Sequence, residues 1–179
     1  TGGFVPLARF HVLGTATFEL GGIGTQHLAM AAADLRFGSL AVFSLNVASD
    51  LQFFLAANSF RAPGGVRMES QGDANVVWFG ENISVGRSLV AENLGGSHSF
   101  RIETTNLLKL PAVALELGDG MGVTSLDSNR KINIRGVEIS SSVGQDFFAI
   151  KGSGKVAGPL SLEPGAGLFT LVFVGNALG

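Results

Sequence analysis

The 179-residue chain holds three histidines, His11, His27 and His98, and no cysteine. A metal site on a β fold usually draws two ligands from one strand, as His-x-His or His-x-Asp/Glu. The best-placed candidate, His98-Ser99-Phe100, fails at the second ligand. Each histidine therefore reads as a surface or hydrogen-bonded side chain. The missing cysteine removes disulfides, thiolate metal sites and thiol nucleophiles together. Gly96-Ser97-His98-Ser99 sets serine beside histidine, but neighbours on a strand point to opposite faces, and no G-x-S-x-G elbow occurs. Gly152-Ser153-Gly154-Lys155 has the look of a phosphate loop. Val156 follows it where Ser or Thr is needed, and Ala149 stands in place of the first glycine, so it reads as a hairpin or loop. Asp119-Gly120-Met121-Gly122 and Asp127-Ser128-Asn129 offer too few carboxylates for the oxygen shell that calcium takes. These residues point away from an enzyme and toward a protein without metal or cofactor. Catalysis would require a cleft in which His98 or His11 meets carboxylates.

What remains to act is apolar surface. Apolar residues make up 46% of the chain and charged ones 15%, against about 25% charged in an ordinary soluble domain. Mean hydropathy is +0.38. That is more apolar material than one small core needs, so part of it is expected to be buried against other copies or partners. Of the aromatic residues, 14 are phenylalanine, one is Trp78 and none is tyrosine. Phenylalanine has no polar handle and suits cores and interfaces. The candidate interface residues are Phe53, Phe54, Phe60, Trp78, Phe79, Phe147 and Phe148, with packing inside the subunit as the competing reading. A sugar platform relies on exposed Trp and Tyr, and Trp78 alone, within Val76-Val77-Trp78-Phe79, is a poor start for one.

The balance of 12 Lys+Arg against 14 Asp+Glu leaves a net charge of −2. The four lysines, Lys109, Lys131, Lys151 and Lys155, are scattered and form no basic run, so nucleic acid is not expected as a partner. No run of about 18 apolar residues offers a transmembrane helix, and no secretory pattern opens the chain. A membrane β-barrel would carry girdles of Trp and Tyr, which this composition does not supply. No membrane partner is expected.

The elements that would position these residues are mainly strands. Glycine punctuates the chain, at Gly21-Gly22, Gly64-Gly65, Gly95-Gly96, Gly118 to Gly122, Gly152 to Gly158 and Gly165 to Gly167, with short apolar segments between, the spacing of a sandwich or barrel. Residues 99–104 alternate, Phe100 and Ile102 against Ser99, Arg101 and Glu103. Ile132 and Ile134 alternate with Lys131, Asn133 and Arg135, and Gly136 then marks a parity switch that suggests a bulge. Residues 4–13 read as an opening strand. Residues 75–79, 146–151 and 168–174 are apolar on both faces, which implies cover on both sides. Residues 26–36 carry Leu28, Ala31, Ala32 and Leu35 at helical spacing with Thr25 as N-cap. Residues 49–58 offer a second helix with a Ser49…Gln52 capping box. Residues 40–47 between them prefer strand. No repeat of fixed period stands out, and no linker divides the chain.

This pattern resembles, in style, the small jelly-roll proteins of virus and bacteriophage particles that decorate or cement capsids. It resembles more distantly the trimeric jelly rolls of the tumour-necrosis-factor and C1q type. The likeness rests on the opening segment 4–13, the glycine-separated strands from Val76 onward and the closing strand Leu168-Phe169-Thr170-Leu171-Val172-Phe173-Val174. It implies a single domain over residues 1–179, a jelly-roll-like β-sandwich of about eight to ten strands with one or two short helices before residue 60. It also implies a virion structural protein, assembled in a host cytoplasm, acting as a homo-oligomer, with a trimer favoured, on a larger protein shell. The alternative is a receptor- or carbohydrate-binding β-sandwich with an extracellular setting.

Overall fold

The computed structural model describes residues 9–22, 24–47, 50–93 and 96–175. They form fifteen strands, numbered in chain order, and no helix among the described residues. Eight strands make one sheet: β1 (Phe10–Val12), β3 (Gln26–Phe37), β5 (Asp50–Ala62), β7 (Asp73–Val85), β9 (His98–Leu110), β11 (Gly122–Ile134), β13 (Gln145–Val156) and β15 (Leu168–Val174). The other seven make the second: β2 (Ala16–Gly22), β4 (Leu40–Val47), β6 (Gly65–Ser70), β8 (Ser88–Asn93), β10 (Ala112–Leu117), β12 (Val137–Ser141) and β14 (Leu160–Glu163).

Each strand pairs with the strands two before and two after it, and every pairing is parallel. A parallel pair needs a crossover between its members. Here the crossover is a strand of the opposite sheet, so the chain winds as a coil. The fold is a parallel β-solenoid. The jelly-roll β-sandwich expected from the sequence is therefore wrong, since a jelly roll is built from antiparallel strands. The one or two short helices expected before residue 60 are absent, their candidate segments lying in β3 and β5. In β3 the inward row is Leu28, Met30, Ala32 and Leu35 rather than a helical stripe, because pairing on β1 and β5 outweighs the helix propensity of four alanines. The opening segment is strand at Phe10–Val12, its residues 4–8 lie outside the described part, and so does Ser49 of the capping box.

The core lies between the sheets. Register stacks like on like along the coil axis. Leu55 lies beside Met30, Trp78 beside Leu55, Ile102 beside Trp78, Leu126 beside Ile102 and Ile150 beside Leu126. From Leu55 to Ile150 this row is fully buried, and each such side chain contributes about 1.5–3 kcal/mol of apolar burial. Aromatic rings thread the early coils: Phe18 stacks on Phe43 at 5.1 Å, Phe43 meets Phe53 at 5.0 Å, and Phe60 meets Trp78 edge-on at 4.3 Å.

The strands β3, β5 and β7 change parity partway, and β9 and β11 turn three consecutive residues outward at the same level. In β5, Leu51, Phe53, Leu55 and Ala57 face inward, then Asn58 and Ser59 both face away, then Phe60 and Ala62 return inward. The register breaks at the same place in β7, between Gly80 and Asn82, and in β11, between Asp127 and Lys131. Two consecutive outward residues bend a strand, so each long strand has two legs that present separate outer flanks. Gly136, expected as a bulge, sits instead at the corner between β11 and β12. The loop expected at Gly152–Lys155 is strand, part of β13. The closing strand β15 is not covered on both sides: Leu168 is 64% and Val174 47% exposed.

Candidate assembly surface

Three of the seven candidate interface residues reach the outside. Phe54, Phe79 and Phe147 are 46%, 44% and 39% exposed, whereas Phe53, Phe60, Trp78 and Phe148 are in the core. Strand alternation divides the aromatic pairs: in Phe53-Phe54, Trp78-Phe79 and Phe147-Phe148, one ring of each fills the coil and its neighbour faces out. All three outward rings lie on the first leg of the eight-stranded sheet. Val77 stacks in register on Phe54, and Phe79 follows two positions along the same strand. Two coils further on, Val123 lies in register beside Phe147, and Val123 is itself exposed. Between these apolar groups, on the same flank, Arg101 is paired with Glu103, and on the strands that carry Phe147 and Val123 Lys151 reaches Asp127 at 3.4 Å. At the margin the Asn75 Nδ2 donates to Gln52 Oε1 at 2.8 Å. The result is two patches of exposed hydrocarbon separated by paired charges, and apolar groups exposed together on one face mark a surface suited to association.

The residues screened for chemistry land in two places. His11 Nε2 lies 3.2 Å from Asp34 on an open flank, where Arg36 also reaches Asp34 at 2.9 Å. The hydrogen bond from Arg36 holds the Asp34 carboxyl below the usual carboxylate range. His98 is inside the coil. It shares an inward row with Gly122 and Asp146. A Cβ on Gly122 would fall 2.0 Å from the His98 ring and 2.4 Å from Asp146 Oδ1, so the absent side chain makes the space in which the two approach. Burial pushes the His98 imidazole below its ordinary range, with Asp146 pulling the other way. Both His98 nitrogens, Thr124 Oγ1 and Asp146 Oδ1 are buried without a protein partner, while Ser141 Oγ donates to the other Asp146 oxygen. The cavity on which His98 and Thr124 open is about 40 Å³ and otherwise largely apolar. That is room for water and not for an organic substrate.

A further pattern escaped the sequence. On the second leg of the long sheet, one outward file runs His11, Arg36, Arg61, Ser84, Lys109, Asn133, Lys155, each residue in register with the next. Two of the lysines that are scattered in sequence, Lys109 and Lys155, thus fall into line with Arg36 and Arg61. On the seven-stranded sheet another outward file runs Glu19, Ser44, Glu69, Glu92, Glu116, Ser140, Glu163. The signal was present as a spacing: side chains that bond between neighbouring coils are 22 to 25 residues apart.

By its fold the chain is a parallel β-solenoid of about seven coils whose conspicuous surface is a flat, partly apolar flank. Comparison of the chain with protein-family models, with curated proteins and with solved structures returns no match.

Proposed function

We propose that this protein is a structural assembly module, a rigid coil that acts by burying the first-leg flank of its long sheet against further copies of itself. The observation that carries this reading is the outward setting of Phe54, Phe79 and Phe147 on a single flank beside Val77 and Val123. Large apolar side chains gathered on one face of a soluble chain favour association, and obligate contacts are more apolar than ordinary surface. Catalysis is no part of the proposal: His98 opens only on a water-sized cavity, and His11 with Asp34 lies on an open flank. The sugar-binding alternative loses its residue, because Trp78 is fully buried. The virion expectation rested on a likeness to jelly rolls, and the coil removes that ground. The assembly expectation rested on surplus apolar surface and keeps its support. Decorating a phage shell is one role such a module would serve.

Mass in solution tests the reading. Sedimentation across the micromolar range is expected to show a multiple of the 18.5 kDa chain. The variant Phe54→Ser/Phe79→Ser/Phe147→Ser should associate far more weakly than the wild type, with an unchanged circular dichroism spectrum. A wild-type protein that stays at 18.5 kDa at every concentration overturns it.

A further inference from the structure

The two files lie on different flanks of the coil and take one residue from each turn, with neutral Ser84 and Asn133 interrupting the basic one and Ser44 and Ser140 the acidic one. Adjacent strands in a sheet are about 4.8 Å apart, so both files share one pitch by construction. Stacking like charges in neighbouring strands works against the fold. The acidic side is only partly compensated, by Arg67, which bonds Glu69 and Glu92. Among the described residues, Glu116, Glu138 and Glu163 meet no cation, and Arg61, Lys109 and Lys155 meet no acid.

Both flanks are also shaped. Arg61 and Lys109, two coils apart with Ser84 in register between them, stand over a groove of about 580 Å³ that Ser59, Asn82 and Leu107 help to line. On the other sheet, Glu92, Glu116 and Glu138 border a shallower depression of about 200 Å³. Glu92 and Glu116 are in register on adjacent coils.

We infer that the basic groove of one copy receives the acidic flank of a second copy, with Arg61 and Lys109 set against Glu92, Glu116 and Glu138. This deepens the assembly reading above and rests on it, adding a partner face to the apolar flank. Because the two surfaces differ, the contact is heterologous: each copy gives its groove to one neighbour and its glutamates to another, and the product is a ring or a row rather than an isologous pair. Arg61 and Lys109 stand two coils apart, the step that also separates Glu92 on β8 from Glu138 on β12, so one relative height of the copies brings both cations opposite the acidic depression.

The test uses charge reversal on the full chain, with circular dichroism and thermal melting as folding controls. Arg61→Glu/Lys109→Glu and, separately, Glu92→Lys/Glu116→Lys should each weaken self-association roughly tenfold or more at low ionic strength. Mixing the two variants should restore association, because the acidic flank of the first then meets the basic flank of the second. Wild-type association should also fall as salt is raised. Three results overturn the inference. In one, oligomers survive both reversals and high salt yet dissolve in the triple phenylalanine variant, which leaves the assembly reading standing. In another, the two variants lose association and their mixture does not regain it. In the third, the wild type is monomeric at low salt but binds an acidic polysaccharide through Arg61 and Lys109, and the assembly reading then falls as well.

Discussion

Replacing Gly144 by alanine would place a methyl carbon 1.7 Å from the Gly120 carbonyl oxygen, 2.8 Å from its carbon and 3.2 Å from the Asp119 oxygen. Gly144 does not have a positive φ, so alanine suits its backbone and the cost is purely one of space. All three atoms belong to the corner of the preceding coil, which is backbone and cannot swing aside. Relief requires the corners to part by more than about 1 Å, across a strand spacing of about 4.8 Å. Such a shift stretches ladder bonds beside it past hydrogen-bonding range. Loss of two or three bonds at about 1 kcal/mol each gives a destabilisation of about 2–3 kcal/mol, or roughly 4–12 °C in melting temperature for a chain of this size. Gly136→Ala is the matched control. It too lacks a positive φ, and its nearest neighbour lies 3.8 Å away, so it should be neutral or stabilise by up to about 1 kcal/mol. Thermal melts of the two variants decide the matter. Equal melting temperatures would refute the stacked-corner geometry.

Three other outcomes follow from the same coordinates. Trp78→Ala and Phe60→Ala, both in the aromatic row of the core, should each lose about 3–5 kcal/mol in chemical denaturation. Phe79→Ala, one residue from Trp78, should change stability by less than about 1 kcal/mol while weakening association. Stability should also respond to pH through His98. Its folded pKa is depressed by burial, so the unfolded chain takes up the proton first. The contribution of neutral His98 is complete above the ordinary value of 6.5 and is lost as pH falls from there toward the folded pKa. Denaturation midpoints measured from neutral to mildly acid pH should decline, and His98→Met should remove that part of the slope. A wild-type profile that rises on acidification would contradict the buried, neutral assignment.

Local alternation was legible in the sequence, and the architecture was not. Phe100 and Ile102, or Ile132 and Ile134, announce strands with one face inward, and they are so placed. Alternation is the same in parallel and antiparallel sheets, however, and carries no pairing information. The coil period was hidden because inward files keep apolar character and not identity: Leu55, Trp78 and Ile102 share a row without sharing a residue type. Glycine held the clearer clue. Gly72, Gly96, Gly120 and Gly144 recur at a constant step, and the Cβ positions of Gly120 and Gly144 would each collide with the glycine of the coil before. Read as punctuation, glycines such as Gly96 and Gly120 suggested a sandwich or barrel; read as a ladder, they mark a coil corner. The candidate surface was half visible. Paired aromatics signalled that something apolar would face out, and only the direction of each strand decides that Phe54, Phe79 and Phe147 do so. The charged files required the period and could not be found without it.

Hydroxyl-radical footprinting at Phe147 and Phe148 tests the central claim most directly, because one ring faces out and its neighbour fills the core. The account predicts that Phe148 stays unlabelled in every folded sample, while Phe147 is protected in the assembled protein and becomes labelled when dilution dissociates it. Equal labelling of the two rings would contradict the coil. A Phe147 that labels alike in assembled and dissociated samples would contradict its burial between copies.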